Sequence, residues 1–286
     1  MPMTISLRHT LRSLLPPVLF AMLTNIAHGR GLRPQWEVLP GGWPTPEQMP
    51  VAFAHPSVAA RQKATWNRFL TLASGTGPLG IPHESRNMVN DELYSHNTVM
   101  SFAYVLARLA HQKTQFSILD WGGGLGYYYV FARQLMPQLC LDYHCRDLDV
   151  LCQIGSTTLP DITFHSNDAT CLHRPYNLVL VSGVLQYIED WKATITTLAS
   201  GSSPYLFVTR VPIVATSRSF VVIQRPYQHG YKTDFVHWVW NRADFLAHLA
   251  SLGVKPVREF FLHEMPPFHG APEQCKYYGF LFQLES

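Results

Sequence analysis

The chain has 286 residues, of which 47% are hydrophobic, 13% aromatic and only 14% charged, against roughly 25% charged in an ordinary soluble domain. Those proportions exclude an intrinsically disordered chain, a coiled coil and a low-complexity scaffold, and a chain of this length buries enough surface to need no disulfide or metal staple. A formal charge of +3, with the basic residues scattered, leaves no stripe for nucleic acid, while the scarcity of charge points to an apolar cleft or a subunit contact.

Arg8 and Arg12 precede an apolar stretch over 14–27 that Pro16 and Pro17 interrupt. The stretch is too short to span a bilayer, and His28, Gly29 and Arg30 make a poor cleavage site for a secretory signal. It is expected to dock on the domain or on a partner subunit, as a homodimer contact. Residues 30–57 are rich in proline and glycine and read as irregular chain. A helix is predicted over 58–72, with Trp66, Phe69 and Leu70 at helical spacing, followed by a loop over 77–86. Residues 1–89 together form an expected N-terminal extension of helical and irregular chain.

The second region, 90–286, has a different rhythm. Asn90 is the expected N-cap of a helix running to Lys113, with Asp91 and Glu92 in its first turn, where carboxylates suit the helix dipole. Strands are predicted over 117–120, 141–145, 162–165, 178–182 and 205–209, and helices over 127–136, 149–155 and 190–198, the first stopped by Pro137. Short apolar strands alternating with helices argue for a doubly wound, mostly parallel α/β sheet with right-handed crossovers. The stretch 212–240 is expected to be a lid or acceptor wall. A last helix over 241–252, capped by Asn241 and Gly253, leads into strands at 257–262 and 277–284, expected as an antiparallel pair at the sheet edge.

The five cysteines, Cys140, Cys145, Cys152, Cys171 and Cys275, form no Cys-x-x-Cys pair, which fits reduced thiols and a cytoplasmic protein. The histidines show no His-x-x-x-His or His-Glu-x-x-His spacing, so no metal is expected.

The chemistry concentrates in Asp120-Trp121-Gly122-Gly123-Gly124-Leu125-Gly126, between a strand and a helix. That arrangement lets backbone touch a ligand and aims a helix N-terminus at it. Tyr127 stands where a dinucleotide fingerprint needs its last glycine, and no Gly-Lys-Ser or Gly-Lys-Thr marks a triphosphate loop. What remains is Asp-x-Gly-x-Gly-x-Gly, which resembles motif I of the class I S-adenosylmethionine-dependent methyltransferases. More particularly, the chain resembles a bacterial methyltransferase family in its Asp-x-Gly-Gly-Gly-x-Gly loop, in Leu185-Gln186-Tyr187 after the fourth strand, in Leu15-Pro16-Pro17, in Arg210-Val211-Pro212 and in Tyr278-Gly279-Phe280. Asn177 and Trp121 depart from the usual pattern.

The resemblance implies a seven-stranded Rossmann-like sheet with S-adenosylmethionine as cofactor. Its expected contacts are Asp120 at the cationic end, the amides of Gly122, Gly123, Gly124 and Gly126, Asp147 with Leu148 at the ribose, Asn167 and Asp168 at the adenine, and Ser182 with Gly183. Asp147 lies 21 residues beyond Gly126, where a carboxylate accepts from two ribose hydroxyls; Asp149 is its competitor, as a residue that simply starts the next helix. Ligands of such sheets sit at the carboxyl ends of the strands, which nominates Gln186, Tyr187, Arg210, Gln224 and Tyr227 for the acceptor.

A hydroxyl acceptor benefits from a base, for which His229, His237 and Tyr187 are the candidates. The missing Asn-Pro-Pro-Tyr or Asp-Pro-Pro-Tyr signature argues against nucleobase methylation, so the expected substrate is a small molecule or glycan intermediate, methylated on oxygen. Two alternatives stay open: a nicotinamide-dependent oxidoreductase, and a module that binds the cofactor or its demethylated product without turnover.

Overall fold

A computed structural model describes residues 33–82, 91–200 and 203–284. The chain divides into units 1–35 and 36–286, and the elements below belong to the second. The apolar stretch at 14–27 and the expected N-cap Asn90 lie outside the described residues.

In chain order the elements begin with β1 (Trp36–Val38), α1 (Pro56–Ala73), α2 (Leu93–Ala110), β2 (Gln115–Trp121), α3 (Tyr127–Leu135), β3 (Cys140–Arg146) and α4 (Asp149–Thr158). They continue with β4 (Thr163–His165), β5 (Leu178–Ser182), α5 (Trp191–Ser200), β6 (Tyr205–Val214), β7 (Phe220–Gln224), β8 (Phe235–Asn241), α6 (Arg242–Ser251), β9 (Val254–Phe261) and β10 (Lys276–Leu284).

Strands β4, β3, β2, β5 and β6 run parallel in that spatial order, and β10 lies antiparallel between β6 and the edge strand β9. This is the expected doubly wound core of seven strands with its antiparallel C-terminal pair. Both faces are covered. Ile118, Leu178, Leu180 and Phe207 pack with α1, α2 and α3 on one side, whereas Leu119, Val179, Val181, Leu206 and Val208 pack with α5 and α6 on the other. Apolar residues on both sides of the central strands β2, β5 and β6 explain why these read as near-continuous apolar runs rather than as alternating ones.

Several expectations need correction. The stretch 212–240, expected as a lid or acceptor wall, is built into the sheet: β7 and β8 form an antiparallel hairpin, β1 adds to β7, and β8 pairs in parallel with the far end of β6. The sheet thereby reaches ten strands, three more than the seven expected, and residues 30–57 supply one of them. Helix α2 starts at Leu93 with Glu92 as N-cap, because the Glu92 amide donates to the Gly80 carbonyl at 3.1 Å and holds Asp91 in a bridge; it also ends at Ala110, short of Lys113. Finally, α1 is no appendage. Its Trp66 and Phe69 rings pack on Tyr127 at 5.3 and 4.8 Å, inside the core.

The departure at Asn177 has a local reason: its Oδ1 accepts from the Ser117 amide at 2.8 Å while its own amide donates to Ser117 Oγ at 2.9 Å. It joins the starts of β2 and β5, at the end of the sheet opposite the glycine loop. No helix among the described residues is long and apolar enough to cross a membrane.

Candidate functional site

Strand order reverses between β2 and β5, so the crevice beyond their carboxyl ends is the place where an open α/β sheet receives a ligand. The glycine loop is one wall of it. Gly122, Gly124 and Gly126 have φ of +80°, +61° and +88°, the left-handed region that side chains disfavour. The loop also folds back tightly: a Cβ on Gly123 would lie 2.3 Å from Asp120 Oδ2, and one on Gly122 would lie 2.6 Å from Val184 Cγ1. Gly126 caps α3 against Ile162. Packing within the chain therefore accounts for three of these glycines.

Gly124 is different, since its amide points at a functional group, donating to Asp147 Oδ2 at 2.7 Å. The other oxygen of Asp147 accepts from the Leu148 amide at 2.7 Å. Burial pushes the Asp147 carboxyl up, opposed by these two amides. Asp149 is exposed, opens α4 and accepts from Gln153 Nε2 at 2.7 Å, so only Asp147 joins the loop.

Asp120 is fully buried beneath the loop. Its Oδ2 accepts from the Tyr143 hydroxyl at 2.7 Å, but Oδ1 has no partner. Burial pushes this carboxyl up to about 7, against the pull of Tyr143 and helped by the charge of Asp147; desolvation outweighs the single hydrogen bond.

At the end of β4, Asn167 caps a short turn by accepting from the Thr170 amide at 3.1 Å. Asp168 is already engaged: Oδ1 accepts from Trp121 Nε1 at 2.8 Å and makes an ion pair with Arg146 Nε at 2.7 Å, while the Arg146 guanidinium lies 5.0 Å over the Trp121 ring. The departure at Trp121 thus ties together the ends of β2, β3 and β4.

The opposite wall starts at Ser182, whose Oγ is 2.7 Å from the Tyr128 hydroxyl. Gly183 (φ +64°) takes a turn in which a Cβ would lie 3.2 Å from Arg210 Nη1. Arg210 itself has φ +56°, a strained conformation costing roughly 1–3 kcal/mol. The cause is a bulge, since Thr209 and Arg210 face Gly279 alone across the β6–β10 ladder.

Beyond Gly183, the buried Gln186 precedes Tyr187, which meets an aromatic group: its ring centroid lies 4.8 Å from Phe53 and 5.5 Å from His237, and its hydroxyl donates to Gln224 Oε1 at 3.3 Å. His237 is fully buried on β8, with Trp36 at 5.5 Å and Phe268 at 5.9 Å. Its Nδ1 lies 3.0 Å from the Trp238 carbonyl, which only accepts, so Nδ1 carries the proton. Nε2 keeps its lone pair, buried and without a partner. Burial pushes this imidazole down to about 4. His229 and Tyr227 lie instead in the loop between β7 and β8, where Tyr227 donates to Asp234 and His229 Nε2 is 3.2 Å from Gln228 Nε2.

Sequence reasoning missed Gln62. This buried residue of α1 brings Oε1 within 3.2 Å of where a Gly124 Cβ would be, and that oxygen has no partner. Its only sequence signal is a polar residue on the helix face that also carries Trp66 and Phe69.

No protein-family model matches the chain, and no curated protein does. Among solved structures it is similar to a Galdieria sulphuraria protein assigned by inference as a sarcosine dimethylglycine methyltransferase, with 14% identity over 78% of this chain and 98% of that one, at a TM-score of 0.51. It is also similar to the [4+2]-cyclase SpnF, with 14% identity over 78% and 96% of the two chains and a TM-score of 0.48. A third is the Burkholderia thailandensis 1,6-didemethyltoxoflavin-N1-methyltransferase, with 11% identity over 86% and 94% and a TM-score of 0.47. At such identities the first likeness speaks for the fold.

Proposed function

We propose that this chain binds S-adenosylmethionine at the glycine loop and transfers its methyl group to the oxygen of a small-molecule or glycan acceptor. The observation that carries the reading is the fully buried Asp120, one of whose oxygens has no partner, directly beneath three left-handed glycines at the switch point. A buried acceptor left unpaired is costly, and a cationic ligand offsets that cost where a pyrophosphate would add to it. Gln62 Oε1 is a second unpaired acceptor on the same loop, suited to an ammonium. The resemblance of the Asp-x-Gly-Gly-Gly-x-Gly run to motif I supports the same cofactor.

The bound cofactor supplies a methyl carbon already activated by a sulfonium. The chain's share of the work is then largely positional. In this reading the Gly123 and Gly124 amides hold the carboxylate, since those of Gly122 and Gly126 already donate to the Arg146 and Gly123 carbonyls at 2.7 and 3.0 Å, and Asp120 with Gln62 faces the cationic end. Asp147 exchanges the Gly124 amide for ribose hydroxyls, with Leu148 beside it; Asn167 and Asp168 flank the adenine, and Ser182 and Gly183 close the far side.

On the acceptor side, Gln186, Tyr187, Arg210, Gln224 and Tyr227 shape the wall. Of the candidate bases, His237 is the better placed, since it is neutral at ordinary pH with its Nε2 lone pair unpaired. A weak base of this kind first orients the hydroxyl and then takes its proton as the oxygen–carbon bond forms.

A thermal-shift series on the full chain tests the cofactor. S-adenosylhomocysteine at 100 times its dissociation constant should add about 2.7 kcal/mol of stability, and NAD none. Stabilisation by NAD alone would overturn the reading. Transfer of labelled methyl to hydroxylated acceptors, and its loss in His237→Gln, then tests the chemistry.

A further inference from the structure

Residues of β8 alternate between two faces. His237 faces Trp36, Phe268 and Tyr187, whereas Trp238 and Trp240 face the other way. On that second face, between the starts of α5 and α6, lies a cleft of about 430 Å³ lined by Trp191, Trp238 and Trp240, within the size range of small-molecule sites. Nothing in the proposed methyl transfer uses it.

We propose that this cleft binds a neutral carbohydrate. The ring of Trp238 is partly exposed at the opening, backed by the buried Trp191 and Trp240, and a pyranose offers such an indole an apolar face of C–H groups polarised toward the π-cloud. Trp238 is held for that role: its ring stacks on Trp43 with centroids 5.5 Å apart, and its Nε1 donates to the Glu189 carbonyl at 3.1 Å, leaving the ring only partly buried. Trp240 is almost wholly buried, yet its Nε1 has no partner. A buried indole N–H normally finds an acceptor, and a sugar hydroxyl is one.

The rim supplies both kinds of hydrogen-bonding group. Lys192 donates, Asp244 accepts, and Ser219 Oγ already accepts from the Asn241 amide at 2.9 Å, so its proton is left to give. His248 also lines the rim, with Nε2 3.4 Å from the Lys192 carbonyl. One cation and one carboxylate cancel, which disfavours phosphates and nucleotides, while mixed donors and acceptors suit hydroxyls that do both.

The test is saturation-transfer NMR on the full chain with D-glucose, D-galactose, D-mannose, N-acetyl-D-glucosamine and their β-linked disaccharides, with glucose 1-phosphate as the charged comparator. At least one neutral sugar should saturate in the millimolar range, with the strongest transfer to ring C–H protons. Trp238→Ala should weaken it tenfold or more, and Asp244→Ala, an exposed change that leaves the core intact, several-fold. The proposal is overturned if no neutral sugar saturates, if binding survives both variants, or if glucose 1-phosphate binds more tightly than glucose and loses that advantage in Lys192→Ala. S-adenosylhomocysteine binding is read in parallel, so failure of the cleft and failure of the cofactor site are told apart.

Discussion

The glycine loop and the β7–β8 hairpin each bury a titratable group with an unpaired atom. On the loop side Asp120 is pushed up to about 7; on the hairpin side His237 is pushed down to about 4. The cause is the same in both, since burial disfavours whichever form carries charge. What differs is the company each keeps. Asp120 lies under backbone amides and beside a second carboxylate, a place that gains from a cation. His237 lies among aromatic rings, a place that gains from a neutral hydroxyl bound through a lone pair.

The largest effect should come from adding a methyl group where the loop has no room. Gly123→Ala sets its Cβ on Asp120 Oδ2 and should abolish cooperative thermal unfolding in circular dichroism. Gly124→Val, strained at φ +61° and pressed against Gln62 and Tyr127, should remove S-adenosylhomocysteine binding by calorimetry.

Next in size is Asp147→Ala, expected to weaken the same binding by about 1–3 kcal/mol through loss of a charge-assisted contact. Asp149→Ala should leave it unchanged; the reverse pattern would assign the ribose to Asp149.

The two shifted groups make smaller and opposite contributions to pH dependence. Asp120 keeps a proton between pH 3.8 and about 7 that the unfolded chain has lost, so its contribution is full below that window and declines as pH rises through it. His237 stays neutral between about 4 and 6.5 while the unfolded chain takes up a proton, so its contribution is lost as pH falls through that range. Melting curves from pH 4 to 8 should therefore tilt in opposite directions in two variants: relative to the parent, Asp120→Asn gains stability toward high pH, and His237→Phe gains it toward low pH. Parallel curves would show that burial is not what governs either group.

The Asp120 shift also couples to the ligand. A ligand ammonium facing Asp120 should expel its proton, so affinity for S-adenosylhomocysteine, whose one cationic group is that ammonium, should fall as pH drops below about 7 in the parent and stay level in Asp120→Asn. Calorimetry in two buffers of different ionisation enthalpy reads the released proton directly.

The parallel core was legible because β2 and β5 are local apolar runs and because β2, β3 and β5 each lead into a helix, the one after β2 stopping just before Pro137. The glycine loop was legible for a related reason, in that a left-handed turn leaves its mark on residue type. The hairpin left no such mark. Its strands form by pairing with the far end of β6 and with a three-residue strand some 180 positions earlier, and the aromatics that pack there look the same in a mobile cover. The site divides likewise. Asp147 was placed by its spacing, whereas the engagement of Asp168 by Trp121 and Arg146, and the reach of Gln62 to Gly124, depend on neighbours that only tertiary folding brings together.

Arg210 does more than turn its own side chain. Before it, the even-numbered Leu206 and Val208 of β6 face the α5–α6 layer; after it, the odd-numbered Val211 and Ile213 do. One supernumerary residue has switched the parity of the strand, so a single continuous ribbon keeps its apolar face inward both beside the parallel strand β5 and beside β8. Excising Arg210 would shorten the chain by one unit and turn the whole distal wall inside out.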